Sequence, residues 1–396
     1  MAPPRLILAL LAAGTLAACG GTNNPDDPKP GPLVGVKGEE KEAARDLGFP
    51  AFATKNTTRV GGADPVANAA AVARAVYPGV EPGTRPKAVA LVDRGDWRAG
   101  LVASALAAPP VGAPILLAED DELPAATKDA LDALSPTGSR ELGDAQVVRV
   151  GDVPEPQGLK TTDVTGKDPA ALAAAVDRTL AAAKGRTSDR VLVVPSESAE
   201  LAMPAAGWAA KSGEPVLFTE RTKLPAITRE AIARHQQPKI YLFADEKTVS
   251  NKVERELRRL GAVKRIDGAS SEPVANSIAF ARYIDGSYGW GVRDPGHGLV
   301  FVNAKRPLDA AAAAPLSSSG TYGPILMHTG EPKLDRPLES YLLDIQPGYR
   351  RDPVRGVYNH GWIIGDEAAM PIATQAKIDT LLEITPVEDT TAKATP

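Results

Sequence analysis

One phrase occurs three times in this chain. Gly112-Ala113-Pro114-Ile115-Leu116-Leu117 returns as Gly213-Glu214-Pro215-Val216-Leu217-Phe218 and again as Gly323-Pro324-Ile325-Leu326-Met327, the prolines lying 101 and 109 residues apart. Around it the context recurs as well. Asp64, Asp168 and Glu272 close three comparable turns at intervals of 104 residues, and each is followed by proline. Fifteen residues before each motif proline stand Ala99, Glu200 and Asp309 on alanine-rich stretches, and a second proline follows at Pro124, Pro225 and Pro337. A period near 100 residues restricts the fold to three copies of one supersecondary unit.

Within each copy, short apolar runs alternate with helical stretches. The runs are Ala88 to Val92, Ile115 to Ala118 and Gln146 to Val150; then Val191 to Val194, Val216 to Thr219 and Ile240 to Phe243; then Leu299 to Val302, Ile325 to Met327 and Trp362 to Ile364. Continuous Val, Ile and Leu without polar alternation marks strands buried on both faces, and helical crossovers make the sheet parallel. Each third therefore reads as βαβαβ with right-handed crossovers. Val253, Leu257 and Leu260 form one helical stripe, with Arg255, Arg258 and Arg259 off it and Gly261 as a terminator. The second prolines fit the first turn of a helix, where no N–H is needed. The fold class is α/β, three tandem parallel-sheet repeats packed as an intramolecular pseudo-trimer.

The ends of the chain read differently. Leu6 to Ala18 is thirteen apolar or small residues after Arg5, too short to span a bilayer as a helix and suited to a signal peptide. The run Leu16-Ala17-Ala18-Cys19-Gly20 resembles the bacterial lipoprotein lipobox, which implies cleavage before Cys19, lipidation of its thiol and a membrane anchor outside the cytoplasm, facing the wall. Proline-rich, polar sequence then forms a tether. The expected division is signal peptide 1–18, tether 19–55, repeats 56–158, 159–264 and 265–386, and a disordered tail 387–396.

Several classes are excluded. A single cysteine provides neither a disulfide framework nor a cysteine metal cluster. A net charge of −4 opposes nucleic-acid binding, which calls for a basic face. His235, His297, His328 and His360 lack metal-ligand spacing, and neither a nucleophile elbow nor a phosphate loop nor a dinucleotide fingerprint occurs. The chain is read as non-catalytic, without cofactor or metal.

Arg59-Val60-Gly61-Gly62-Ala63-Asp64, the Pro307-Leu308-Asp309-Ala310 to Leu316 stretch, the Gly-x-Pro-Ile-Leu-Leu phrase and the strand ends Val150-Gly151-Asp152 and Ile364-Gly365-Asp366 together resemble the cell wall binding repeat 2 family over about residues 56 to 385. That resemblance implies Rossmann-like units, trimeric within one chain, and noncovalent attachment to anionic wall polymers. It also implies a part in attachment for the strand motif: Pro114, Ile115, Leu116 and Leu117; Pro215, Val216, Leu217 and Phe218; Pro324, Ile325, Leu326 and Met327. The sequence departs from the family pattern at Ala99, at Val-Leu-Phe in the second copy, and in the longer gap before Pro337.

Apolar side chains do not recognise anions, so the motif residues belong in the sheet core and position the loops at the strands' carboxyl ends, where open parallel sheets bind ligands. Cations in those loops are Arg94 and Arg98, Arg221 and Lys223, and Lys305 and Arg306. Their guanidinium and ammonium groups suit phosphate or carboxylate. Arg350, Arg351 and Arg355 form another patch, the Tyr283 to Trp290 connection either stacks on a sugar or packs on a neighbour, and Ser317 to Gly320 reads as a loop. The expected function is an envelope lipoprotein that links membrane to anionic wall polymer or holds an envelope protein there. Alternatives are a solute-binding lipoprotein of a transport system and an envelope enzyme.

Overall fold

The nine apolar runs form three adjoining strands in each of three parallel sheets in a computed structural model that describes residues 51–387 apart from 120 and 320–322. The lipobox with Cys19, the tether up to residue 50 and the tail from residue 388 lie outside the described residues. All the described residues belong to one compact unit.

The amino-terminal strands are β1 (Ala51–Ala53) and β2 (Thr57–Val60), followed by helix α1 (Pro65–Val76). Next come β3 (Val89–Asp93), α2 (Trp97–Ala103) running into a 3₁₀ turn Ser104–Ala107, β4 (Ile115–Ala118), α3 (Ala125–Leu134), β5 (Val147–Val150) and β6 (Thr161–Val164). The middle stretch holds α4 (Pro169–Lys184), β7 (Arg190–Pro195), α5 (Ala199–Ala202), α6 (Ala205–Ser212), β8 (Val216–Thr219), α7 (Ala226–Ala233), β9 (Lys239–Leu242), α8 (Asn251–Leu257) and β10 (Ala262–Arg265). The last contains α9 (Pro273–Arg282), β11 (Gly298–Asn303), α10 (Asp309–Ser318), β12 (Ile325–His328), α11 (Arg336–Asp344), β13 (Gly348–Tyr349), β14 (His360–Ile364), α12 (Ile372–Leu382) and β15 (Thr385–Pro386).

Each sheet has the same order. The first runs β4-β3-β5-β6 and the second β8-β7-β9-β10, all parallel. The third runs β12-β11-β14-β2, also parallel, with β1 antiparallel on its edge. The fourth strand of each sheet is the segment that opens the next copy in the sequence, and the third sheet takes its fourth strand from the amino-terminal end. Residues 161–164 thus bond to β5 although they follow the expected boundary at 158/159. Residues 51–53 of the expected tether form β1.

From each fourth strand a helix crosses to the next sheet: α1 covers β4, α4 covers β8 and α9 covers β12. Two of these helices are capped by the repeated acid. Asp64 Oδ1 accepts from the N–H groups of Val66 and Ala67 at 2.8 and 3.0 Å, and Asp168 Oδ1 from Ala171 at 2.8 Å. Glu272 makes no such cap at the third position, but the turn before the helix is held alike: Asn276 Oδ1 accepts from Ser270 N at 3.0 Å, as Asn68 Oδ1 accepts from Gly62 N at 2.8 Å.

The second helices of the three stretches meet in the middle: α10 packs against α6 and α2, and α6 against the turn after α2. Residues Asp309 to Ser317 are all buried, which explains an alanine run without an amphipathic face. Small residues permit the approach: a Cβ on Gly100 would meet Leu308 at 2.8 Å, and one on Gly207 would meet Ser317 Oγ at 2.7 Å. This layout is compatible with a pseudo-trimer inside one chain. Ser317 and Ser318, expected in a loop, are the last turn of α10, because Ser318 Oγ donates to Pro315 O at 2.9 Å and Ser317 is enclosed. Pro124 and Pro225 sit one position outside their helices, as N-cap residues, whereas Pro337 is in the first turn. Gly261 is not a left-handed terminator. The Pro238 carbonyl oxygen would lie 2.2 Å from a Cβ there, so close approach of two strands requires it.

Candidate functional site

The motif strands β4, β8 and β12 each form the outer edge of the four parallel strands, yet their side chains are enclosed. Ile115, Leu116, Leu117, Val216, Leu217, Phe218, Ile325, Leu326 and Met327 are all at most 2% exposed. The preceding prolines do one repeated job: the carbonyls of Pro114, Pro215 and Pro324 accept from Ala90, Leu192 and Val300 at 2.9, 3.0 and 3.1 Å, fixing the register of each central pair. Helices α1, α4 and α9 cover them. What these strands present to solvent is the loop that follows each.

At the seam between the first and second stretches the loop after β8 borders a cleft of about 640 Å³, together with the start of α2, the end of β7 and the turn between β6 and α4. Its first wall is the start of α2. Asp96 caps that helix, accepting from Arg98 N at 2.9 Å, and Trp97 packs edge-on against Phe218 at 6.0 Å. The Arg98 guanidinium lies 4.6 Å over the Trp97 ring and its Nε donates to Ser196 O at 2.7 Å, so a side chain from the first stretch is held on the end of β7. Lys223 comes from the loop after β8, where Glu220 N donates to Lys223 O at 3.1 Å. Lys167 enters from the loop after β6.

Charges in the cleft are mixed. Arg98, Lys167 and Lys223 face Asp168, Glu197, Glu220 and Glu230, between apolar surfaces from Phe218, Pro169, Pro225 and Ile227. A site with three cations and four carboxylates is no bare anion trap. It can donate to an anionic substituent, accept from hydroxyls and cover C–H faces, which is the combination a sugar chain with charged groups requires.

The structure thus brings Arg98 and Lys223 together and leaves the other expected cations apart. Arg94 pairs with Glu119 at 2.8 Å and Lys305 with Glu331 at 2.9 Å, both at the surface. Arg221 Nε donates to Lys247 O at 2.9 Å. Arg306 serves the interior: it lies 2.9 Å from Asp309, which is fully buried and also accepts from Asn68 Nδ2 at 2.9 Å. Burial raises the Asp309 carboxyl to about 6 against the pull of Arg306. Lys167 is the cation that sequence reading passed over, although it stands beside the helix-capping Asp168. Arg355 remains on an exposed loop, 3.9 Å from Asp352.

Other groups are structural. Tyr288 is 0% exposed and stacks on Tyr241 at 3.4 Å between centroids, so packing on a neighbour, not a sugar, occupies that connection. His235 bonds Ser188 O and Asp177, and buried His328 is lowered to about 3 by desolvation and then by Arg59. Among the described residues no group of three or more His, Cys, Asp or Glu could hold a metal ion, and no helix is long and apolar enough to cross a membrane.

No family model matches the chain. Over 126 residues, 32% of this chain and 16% of the other, it is 32% identical to the amidase enhancer of Bacillus subtilis (strain 168). Cwp8 from Clostridium difficile superposes with a TM-score of 0.63 at 20% identity, covering 83% of this chain and 52% of that one. Cwp6 from Clostridium difficile gives 0.65 at 17% identity, covering 85% and 51%. The chain spans about half the length of these two neighbours. At such identities the likeness establishes a shared α/β fold of parallel sheets and helices.

Proposed function

We propose that this chain is a non-catalytic envelope lipoprotein, anchored through lipid on Cys19, that binds an anionic wall polymer and so links membrane to wall or holds an envelope protein there. The observation that carries the reading is the fold likeness to Cwp8 and Cwp6 across more than four fifths of the chain. The cleft of Arg98, Lys167 and Lys223 gives it a chemistry, and the match to an amidase enhancer supports a role beside the wall in which another protein benefits. Three like sheets, in place of two lobes around one cleft, weigh against the solute-binding alternative.

Cosedimentation with wall sacculi tests the reading. The mature chain pellets with intact sacculi and stays in solution when their anionic polymers have been stripped; equal retention on both would end it. Replacing both Arg98 and Lys223 by alanine weakens retention about tenfold, from the loss of charged hydrogen bonds. In cells, Cys19→Ser moves the chain from the membrane to the soluble fraction.

A further inference from the structure

At the opposite end of the second sheet, beside the first residue of β7, lies a recess of about 370 Å³ that the proposed function does not use. Lys184, Arg186, Arg190 and Lys211 converge on it, against Asp189 and Glu214. Both carboxylates are poor counter-ions. Glu214 is already held by Arg190 at 3.0 Å and by the Trp208 indole N–H at 2.8 Å, and Asp189 is 94% exposed and 3.9 Å from Arg186. The Lys211 ammonium lies 4.6 Å from the Trp290 ring and 5.3 Å from Trp208. It makes no carboxylate contact among the described residues. Burial lowers both Lys211 and Lys184 from the usual lysine value.

Helix ends explain part of this. Lys184 Nζ donates to Gly213 O at 2.5 Å, closing the end of α6, as a cation at a helix carboxyl terminus should. Lys211 stands in the last turn of α6 and Arg186 just past the end of α4, so helix ends favour both charges, but they give Lys211 no carboxylate among the described residues and Arg186 only Asp189 at 3.9 Å. Nor does the fold demand the group: counted back from the motif proline, Trp208 corresponds to Ala107 and Ser317, and Lys211 to Pro110 and Gly320. Only the second stretch carries the pair, and an acidic chain has placed a net positive recess there.

We infer that this recess binds a single small anionic group, a carboxylate or phosphate, held by Lys211, Lys184 and Arg186 at the edge of the Trp208 indole. It goes beyond the wall-polymer reading and stands apart from it. Trp208 lines the recess and the Lys211 ammonium lies over Trp290, so tryptophan emission of the mature chain reports occupancy. Titration with inorganic phosphate, and separately with glucuronate, gives a saturable change with at least one of them. Lys211→Met and Lys184→Met weaken it tenfold or more, while Lys160→Met, remote and exposed, leaves it unaltered. No saturable change with either probe, or an undiminished response in a Lys211→Met chain that melts like the parent, overturns the inference. Polymer released from sacculi then distinguishes the source. Competition with phosphate identifies a polymer substituent and its absence a free small anion, and either result leaves the recess an anion site. Sacculus retention of Lys211→Met is read separately, so failure here is distinct from failure of the wall reading.

Discussion

Asp309 and His328 titrate in opposite senses. Burial lifts Asp309 to about 6, so between its unfolded value near 4 and pH 6 the folded chain holds a proton that the unfolded chain has lost, and stability falls as pH rises. Burial lowers His328 to about 3, so below its unfolded value near 6.5 the unfolded chain takes the proton and stability falls as pH drops. Between pH 4 and 6 the two slopes offset. Asp309→Asn removes one of them, and urea unfolding of that variant loses about 1.4 kcal/mol per pH unit on acidification more than the parent does. Identical slopes in both chains would refute the pairing. Neither residue's role was legible in the sequence. Asp309 was visible as a repeated position, but its enclosure follows from two other helices that lie more than 90 residues away.

The nine strands of the apolar runs could be read because a strand covered on both faces has no polar alternation to confuse it with a surface helix. The fourth strands could not. Thr57-Thr58-Arg59-Val60, Thr161-Thr162-Asp163-Val164 and Ala262-Val263-Lys264-Arg265 are four residues long and rich in polar residues, the last two partly exposed, and they stand beside turn residues that announce a loop. What holds β2 is Arg59. Its guanidinium donates to Gly365 O, Asp366 O, Met370 O and Gln375 Oε1 at 2.6 to 2.9 Å. Arg265 repeats this on β10, donating to Ala244 O at 2.7 Å and Val249 O at 3.2 Å. Arg59→Ala strands three carbonyls and costs about 3 kcal/mol. Because the exchanged strand couples the third sheet to the helix over the first, the loss appears as a downward shift of one calorimetric transition, not as a second one. The cleft shares the same limit on legibility: Arg98 and Lys223 are 125 positions apart, and tertiary contacts, Trp97 on Phe218 and Arg98 on Ser196, bring their loops together.

Across the whole molecule, the three central helices set the tolerance for change. Gly207→Val pushes a methyl group into Ser317 and Ile325, and overpacking of that kind costs about 1 to 3 kcal/mol by thermal or urea unfolding. A variant as stable as the parent would show that the centre can yield. The exchange of strands also orders events in time. The segment at residues 57–60 leaves the ribosome early, yet its parallel neighbour at 361–364 appears some 300 residues later. Until then the earliest strand has no place to dock, and contacts so distant along the chain form slowly. Assembly of that sheet is consequently sealed by a strand made long before its partner, and the third sheet stays open until residues 361–364 have emerged.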